Sequence, residues 1–109
     1  MNDSATPVSF FRARPERFRL GDGPSRIAVR VEVPEVWDVI RVEATPDTSV
    51  AALKQLALEV LLNAGEYPED YVVKLRGFEV LDERESLESV GARDGSIFLV
   101  TGRRRRPVR

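Results

Sequence analysis

Asp47-Thr48-Ser49-Val50-Ala51-Ala52-Leu53-Lys54-Gln55-Leu56-Ala57-Leu58-Glu59-Val60-Leu61-Leu62-Asn63-Ala64-Gly65 has a polar start, a helical apolar period and a glycine stop. Pro46 biases Thr45 away from helical geometry, so the helix begins after it. Thr48 or Ser49 can accept a hydrogen bond from the first free amides, worth about 1 kcal/mol. Asp47 adds negative charge near the positive end of the dipole. At about 100° per residue, Val50, Leu53, Leu56, Ala57, Val60, Leu61 and Ala64 share one broad face. Gln55, Glu59 and Asn63 lie opposite, and Gly65 supplies the left-handed stop. Ala51, Leu58 and Leu62 fall off this stripe and form a second, narrower apolar line. It is either part of a wide buried face or a second contact surface, with the N-terminal aromatics as nearest cover.

Strand patterns flank the helix. Ile27-Ala28-Val29-Arg30-Val31-Glu32-Val33 alternates strictly, placing Ile27, Val29, Val31 and Val33 on one face. Pro34-Glu35-Val36 is the turn, and Trp37 to Ala44 is a second strand with Ile40, Val42 and Ala44 turned inward. The short connection predicts an antiparallel hairpin. After the loop Glu66-Tyr67-Pro68-Glu69-Asp70 comes a third strand, Tyr71 to Arg76, with Tyr71, Val73 and Leu75 on one face. Gly77 breaks it, and Phe78-Glu79-Val80-Leu81 is a short edge strand. Asp82 to Ser86 is a charged turn, Leu87 to Gly91 one helical turn, and Ser96 to Thr101 the last strand. There Ile97 and Leu99 alternate against Phe98 and Val100, and the second pair is assigned to the face away from the helix. The result is an α+β domain at 27–102: a mixed four- to five-stranded sheet packed on one long helix.

The ends differ from this body. Residues 1–26 mix Phe10, Phe11 and Phe18 with arginines and close on Gly21-Asp22-Gly23-Pro24, the pattern of a flexible arm. Residues 103–109 form a basic tail without core-forming residues. The 109-residue chain has a net charge of −1, but residues 27–102 carry seven basic and fifteen acidic side chains, a net of −8. An acidic body with basic ends can fold the ends back or offer them to an anionic partner.

Composition narrows the chemistry. There is no cysteine, which removes disulfides and thiolate metal sites, and no histidine, which removes the usual general base and metal ligand. The acidic pairs Glu69/Asp70 and Asp82/Glu83 sit in predicted turns, and no glycine-rich phosphate loop links a strand to a helix. No catalytic residue, cofactor, metal or small-molecule substrate is expected, and the chain is not expected to be an enzyme. No apolar run approaches the roughly 18 residues of a membrane span, and a cytoplasmic location is expected.

Val42-Glu43-Ala44-Thr45-Pro46-Asp47-Thr48-Ser49-Val50-Ala51-Ala52-Leu53-Lys54 resembles the second strand, polar turn and helix start of ubiquitin-like proteins. Tyr67-Pro68-Glu69-Asp70 is similar to that family's proline-containing loop. Gly77, Val80-Leu81-Asp82, Ser86-Leu87, Gly91, Asp94-Gly95-Ser96 and Ile97 to Val100 follow its second half in order. The resemblance covers 27–102 and implies the β-grasp fold. It also implies a partner-binding patch on the exposed sheet, at Val72, Lys74, Phe98 and Val100; the helical wheel separately leaves Ala51, Leu58 and Leu62 as a second candidate surface. Val90 to Gly95 is similar to a local pattern in small ubiquitin-like accessories of type VII secretion systems. The function implied is a non-catalytic interaction or adaptor module, serving as an accessory of a larger complex such as a secretion system. Two alternatives stand beside it. One is a modifier or sulfur carrier processed after Gly102, although Thr101-Gly102 replaces the family's Gly-Gly. The other is an anion binder using the arginines at 12–19 and Arg103, Arg104, Arg105 and Arg106. The acidic body and the lack of stacking aromatics in the tail weigh against nucleic acid.

Overall fold

The computed structural model describes residues 16–62 and 67–103. Phe10, Phe11, the arginines at 12 and 14, Gly65 and Arg104 to Arg106 lie outside the described residues. Among the described residues six strands form one sheet: β1 (Phe18–Leu20), β2 (Ile27–Val33), β3 (Asp38–Ala44), β4 (Tyr71–Leu75), β5 (Phe78–Glu79) and β6 (Ile97–Gly102). Their order is β1-β3-β2-β6-β4-β5. The helix α1 (Val50–Leu61) packs on one face. β2 and β3 pair antiparallel, as their alternation and short link predict, and β2 meets β6 in parallel.

The core is built from alternate positions of four strands. Val29, Val31, Val33, Ile40, Val42, Ala44, Val73, Leu75, Phe98 and Val100 meet Val50, Leu53, Ala57 and Leu58 of the helix, with Leu87 from the following loop. Fully burying one such leucine or phenylalanine contributes about 1.5–3 kcal/mol.

The amides opening α1 are all accounted for. Val50 N–H donates to Glu85 O, Ala51 N–H to Glu83 O and Leu53 N–H to Ser49 O. Ala52 N–H donates to the Ser49 side chain at 3.1 Å, so Ser49 is the cap. The 83–85 segment thus replaces the water that would otherwise serve the helix N-terminus. The same region explains a buried cation. Lys54 is 3% exposed, and its ammonium donates to Tyr71 O at 2.8 Å, to Pro68 O and to the Glu83 carboxylate. All three donors are used, the condition under which a lysine can be buried.

Four sequence expectations change. Phe98 and Val100 were assigned to the open face, yet both are 0% exposed and lie in the core. The parallel register sets Val31 beside Phe98, so Phe98 takes the inward phase of Val31. The second apolar line is not an open surface either. Leu58 is core, Ala51 and Leu62 are half-buried, and Lys54 on the same line is covered by the Pro68 and Tyr71 carbonyls and the Glu83 carboxylate. Phe18–Leu20, assigned to the arm, is a strand that pairs parallel with β3 and brings the sheet to six strands. Residues 87–91 are turns rather than an assigned helix, held by Val90 N–H to Ser86 O and Gly91 N–H to Glu88 O.

The crossing from β1 to β2 runs around the end of β3. Ala44 pairs with Leu20 on one side and Ile27 on the other. Arg26 staples this turn by donating to the carbonyls of Leu20, Gly21 and Glu43. Gly21 has φ 84° and rests against the buried Thr45 and Thr48, whose hydroxyls are 2.8 Å apart.

Candidate functional site

With α1 on one side of the sheet, no helix covers the other among the described residues, and alternation assigns its residues. Register lines them up in rows. Val39, Glu32, Leu99, Lys74 and Glu79 form one row across β3, β2, β6, β4 and β5. Arg41, Arg30 and Ile97 form the next. Val72 is paired with Thr101 beyond the first row. Ile97 is 45% exposed and Leu99 half-buried.

The β2–β3 tip stands beside this face. Pro34–Val36 makes one 3₁₀ turn, and Trp37 closes it in the left-handed region at φ 55°. Its amide donates to Pro34 O at 3.1 Å. Such a φ is unfavourable for any side chain with a Cβ. Trp37 is 93% exposed, and Val36 and Val39 beside it are more than a third exposed. A tryptophan that contributes nothing to the core and sits on a strained tip is difficult to explain by folding alone.

Glu35 ties the tip to the end of β6. Its carboxylate accepts from the Thr101 hydroxyl at 2.9 Å and from the Gly102 amide. Burial pushes the Glu35 pKa up, but hydrogen bonds from Gly102, from its own amide and from Thr101 outweigh this and hold it below the ordinary value. Arg103 N–H then donates to Asp70 O at 2.7 Å, and its guanidinium to Glu69 O at 3.2 Å. The first arginine of the basic tail is therefore attached to the 68–70 turn that precedes β4.

No protein-family model matches the chain, and no curated protein matches it by sequence. Solved structures do. Ubiquitin of Caldiarchaeum subterraneum superposes with a TM-score of 0.62 at 18% identity, over 73% of this chain and 96% of that one. The C-terminal ubiquitin-like domain of mouse tubulin-specific chaperone e gives 0.64 at 11% identity, over 81% and 97%. The UBL domain of Plasmodium falciparum Dsk2 gives 0.59 at 24% identity, over 72% and 99%. The chain has the ubiquitin-like β-grasp fold.

Of the four partner-binding positions expected for this ubiquitin-like domain, three are buried and Lys74 is half-buried. Val72 points away from the helix but is 6% exposed, and Phe98 and Val100 are core. Leu99 and Ile97 occupy the outward positions instead. Trp37 was missed because it was assigned to a strand, where its side chain would have followed the pleat. The signal was present in Pro34-Glu35-Val36-Trp37, where a proline turn leaves its last residue to reverse the chain. Among the described residues no group of three or more acidic side chains could hold a metal ion, and no helix is long and apolar enough to cross a membrane.

Proposed function

We propose that this chain is a non-catalytic ubiquitin-like module that binds another protein through its open sheet face, with Trp37 as the anchor. Val36, Val39, Leu99 and Ile97 extend the apolar contact, and Lys74 and Glu32 lie between them as polar groups. The observation that carries this reading is the exposure of Trp37 at the strained tip. Buried aromatic anchors ringed by weaker contacts supply most of the free energy of protein interfaces. An adaptor role as a small accessory of a larger complex fits a small domain with an exposed tryptophan beside its open sheet face.

Processing after Gly102 has less support. Gly102 is paired with Tyr71 within the sheet and its amide is held by Glu35, so an activating enzyme would have to strip the end of β6 first.

The test is capture by tagged protein in native cells, purified in parallel under native and denaturing conditions. A partner present only in the native arm is expected. Trp37→Ser should remove it while leaving the urea unfolding free energy within about 1 kcal/mol, since no core contact is lost. Undiminished capture by that variant would sink the assignment. A conjugate surviving denaturation would favour the modifier instead.

A further inference from the structure

Arg30 and Arg41 stand directly opposite each other on β2 and β3. The Arg30 N–H turns toward β6 and donates to Ser96 O at 3.0 Å. Across β2 and β3 the two arginines therefore form a non-hydrogen-bonded pair, the geometry in which opposed side chains come closest. Like charges so placed destabilise a sheet. Both side chains are exposed, and among the described residues neither meets a carboxylate. Glu43, the nearest acid on β3, is taken by Arg17 at 2.8 Å and Arg19 at 3.9 Å. Glu32 lies one row away, and Asp94 is engaged by the Ala28 amide at 2.7 Å. Arg17, Ala28, Arg30, Arg41, Glu43 and Gly95 line a shallow concavity of about 270 Å³ here. A repulsive pair is thus kept over a cleft, on the body whose net charge is −8.

We infer that Arg30 and Arg41 together receive an acidic segment of the partner protein, one carboxylate bridging both guanidiniums. This rests on the open face being the binding surface. Charge-assisted contacts of this type are short and directional, and a bridging carboxylate turns the repulsion into attraction. Ile97 continues the same row, so an aliphatic residue beside the acid completes the match. A nucleic acid fits less well, because no aromatic lines the cleft for bases to stack on.

The test is a heteronuclear NMR titration of the full chain with an oligoglutamate peptide, a Gly-Ser peptide of equal length and a short oligothymidylate. Oligoglutamate alone should shift the Arg30, Arg41 and Ile97 amides saturably, and added salt should reverse it. Arg30→Gln and Arg41→Gln should each weaken binding about tenfold. Arg41→Glu should abolish it and raise the thermal midpoint, because the repulsive pair becomes a cross-strand ion pair. Shifts centred elsewhere, equal binding by the glutamine variants, a lowered midpoint in Arg41→Glu, or tighter binding of oligothymidylate would each overturn the inference. With the natural partner, capture lost in Trp37→Ser but intact in the double glutamine variant overturns it and leaves the open-face reading standing. Capture lost in the arginine variant but kept in Trp37→Ser supports the arginine site and removes the tryptophan anchor.

Discussion

Phe98 shows how one side chain can separate a surface from a core. Its ring is fully buried in the cluster beneath α1. Phe98→Ala is expected to lower the unfolding free energy by about 3–5 kcal/mol, read from urea denaturation. A loss below about 1 kcal/mol would return Phe98 to the surface. The sequence could not decide this, because Ile97-Phe98-Leu99-Val100 is apolar at every position and either phase leaves two greasy residues on each face. Only the strand beside it breaks the tie. Ile27, Val29, Val31 and Val33 have unambiguous phase, and the β2–β6 register passes that phase on. Lys54 poses the opposite problem. A lysine on an apolar line looks like a surface residue until the Pro68 and Tyr71 carbonyls and the Glu83 carboxylate arrive to solvate its ammonium. That arrangement is long-range and has no local signature.

At the scale of elements, the hairpin and helix were legible, because strict alternation and a capped 3.6-residue period each admit a single orientation. β1 was not. Three residues give too short an alternation to rise above the arginines around it, and its pairing partner lies more than twenty positions away. Gly21 is what makes that pairing possible. A Cβ there would lie 2.0 Å from Thr45 Oγ1 and 2.7 Å from Thr48 Oγ1, on a backbone with φ 84°. Gly21→Ala should therefore cost about 2–4 kcal/mol, from overpacking and the left-handed penalty together. Hydrogen exchange should show faster opening at the Thr45 amide, which donates to Leu20 O. Wild-type-like exchange and stability would mean that β1 does not dock as described.

For the whole molecule, Glu35 couples the β2–β3 tip to the end of β6. Its pKa in the folded state lies below the ordinary 4.5. Its contribution is therefore present above that value and is lost as pH falls through the lower folded value. Between neutral pH and pH values under 4.5, the stability of Glu35→Gln should decline less steeply than that of the parent. Parallel acid unfolding curves would show that the tip is not tied to β6 through this carboxylate.

The sheet ends, among the described residues, in a three-residue β1 on one side and a two-residue β5 on the other. Unpaired strand edges are the usual template for recognition by backbone alone, which is tolerant of sequence. Taken by themselves, β1 and β5 hold too few main-chain groups to bind a visiting strand by more than a few bonds. On the binding face proposed above, a partner would be selected by its side chains, against the pattern of Trp37, Leu99, Arg30 and Arg41. Discrimination among partners would follow single substitutions on that face, and swapping those four residues into a related scaffold would carry the preference with them.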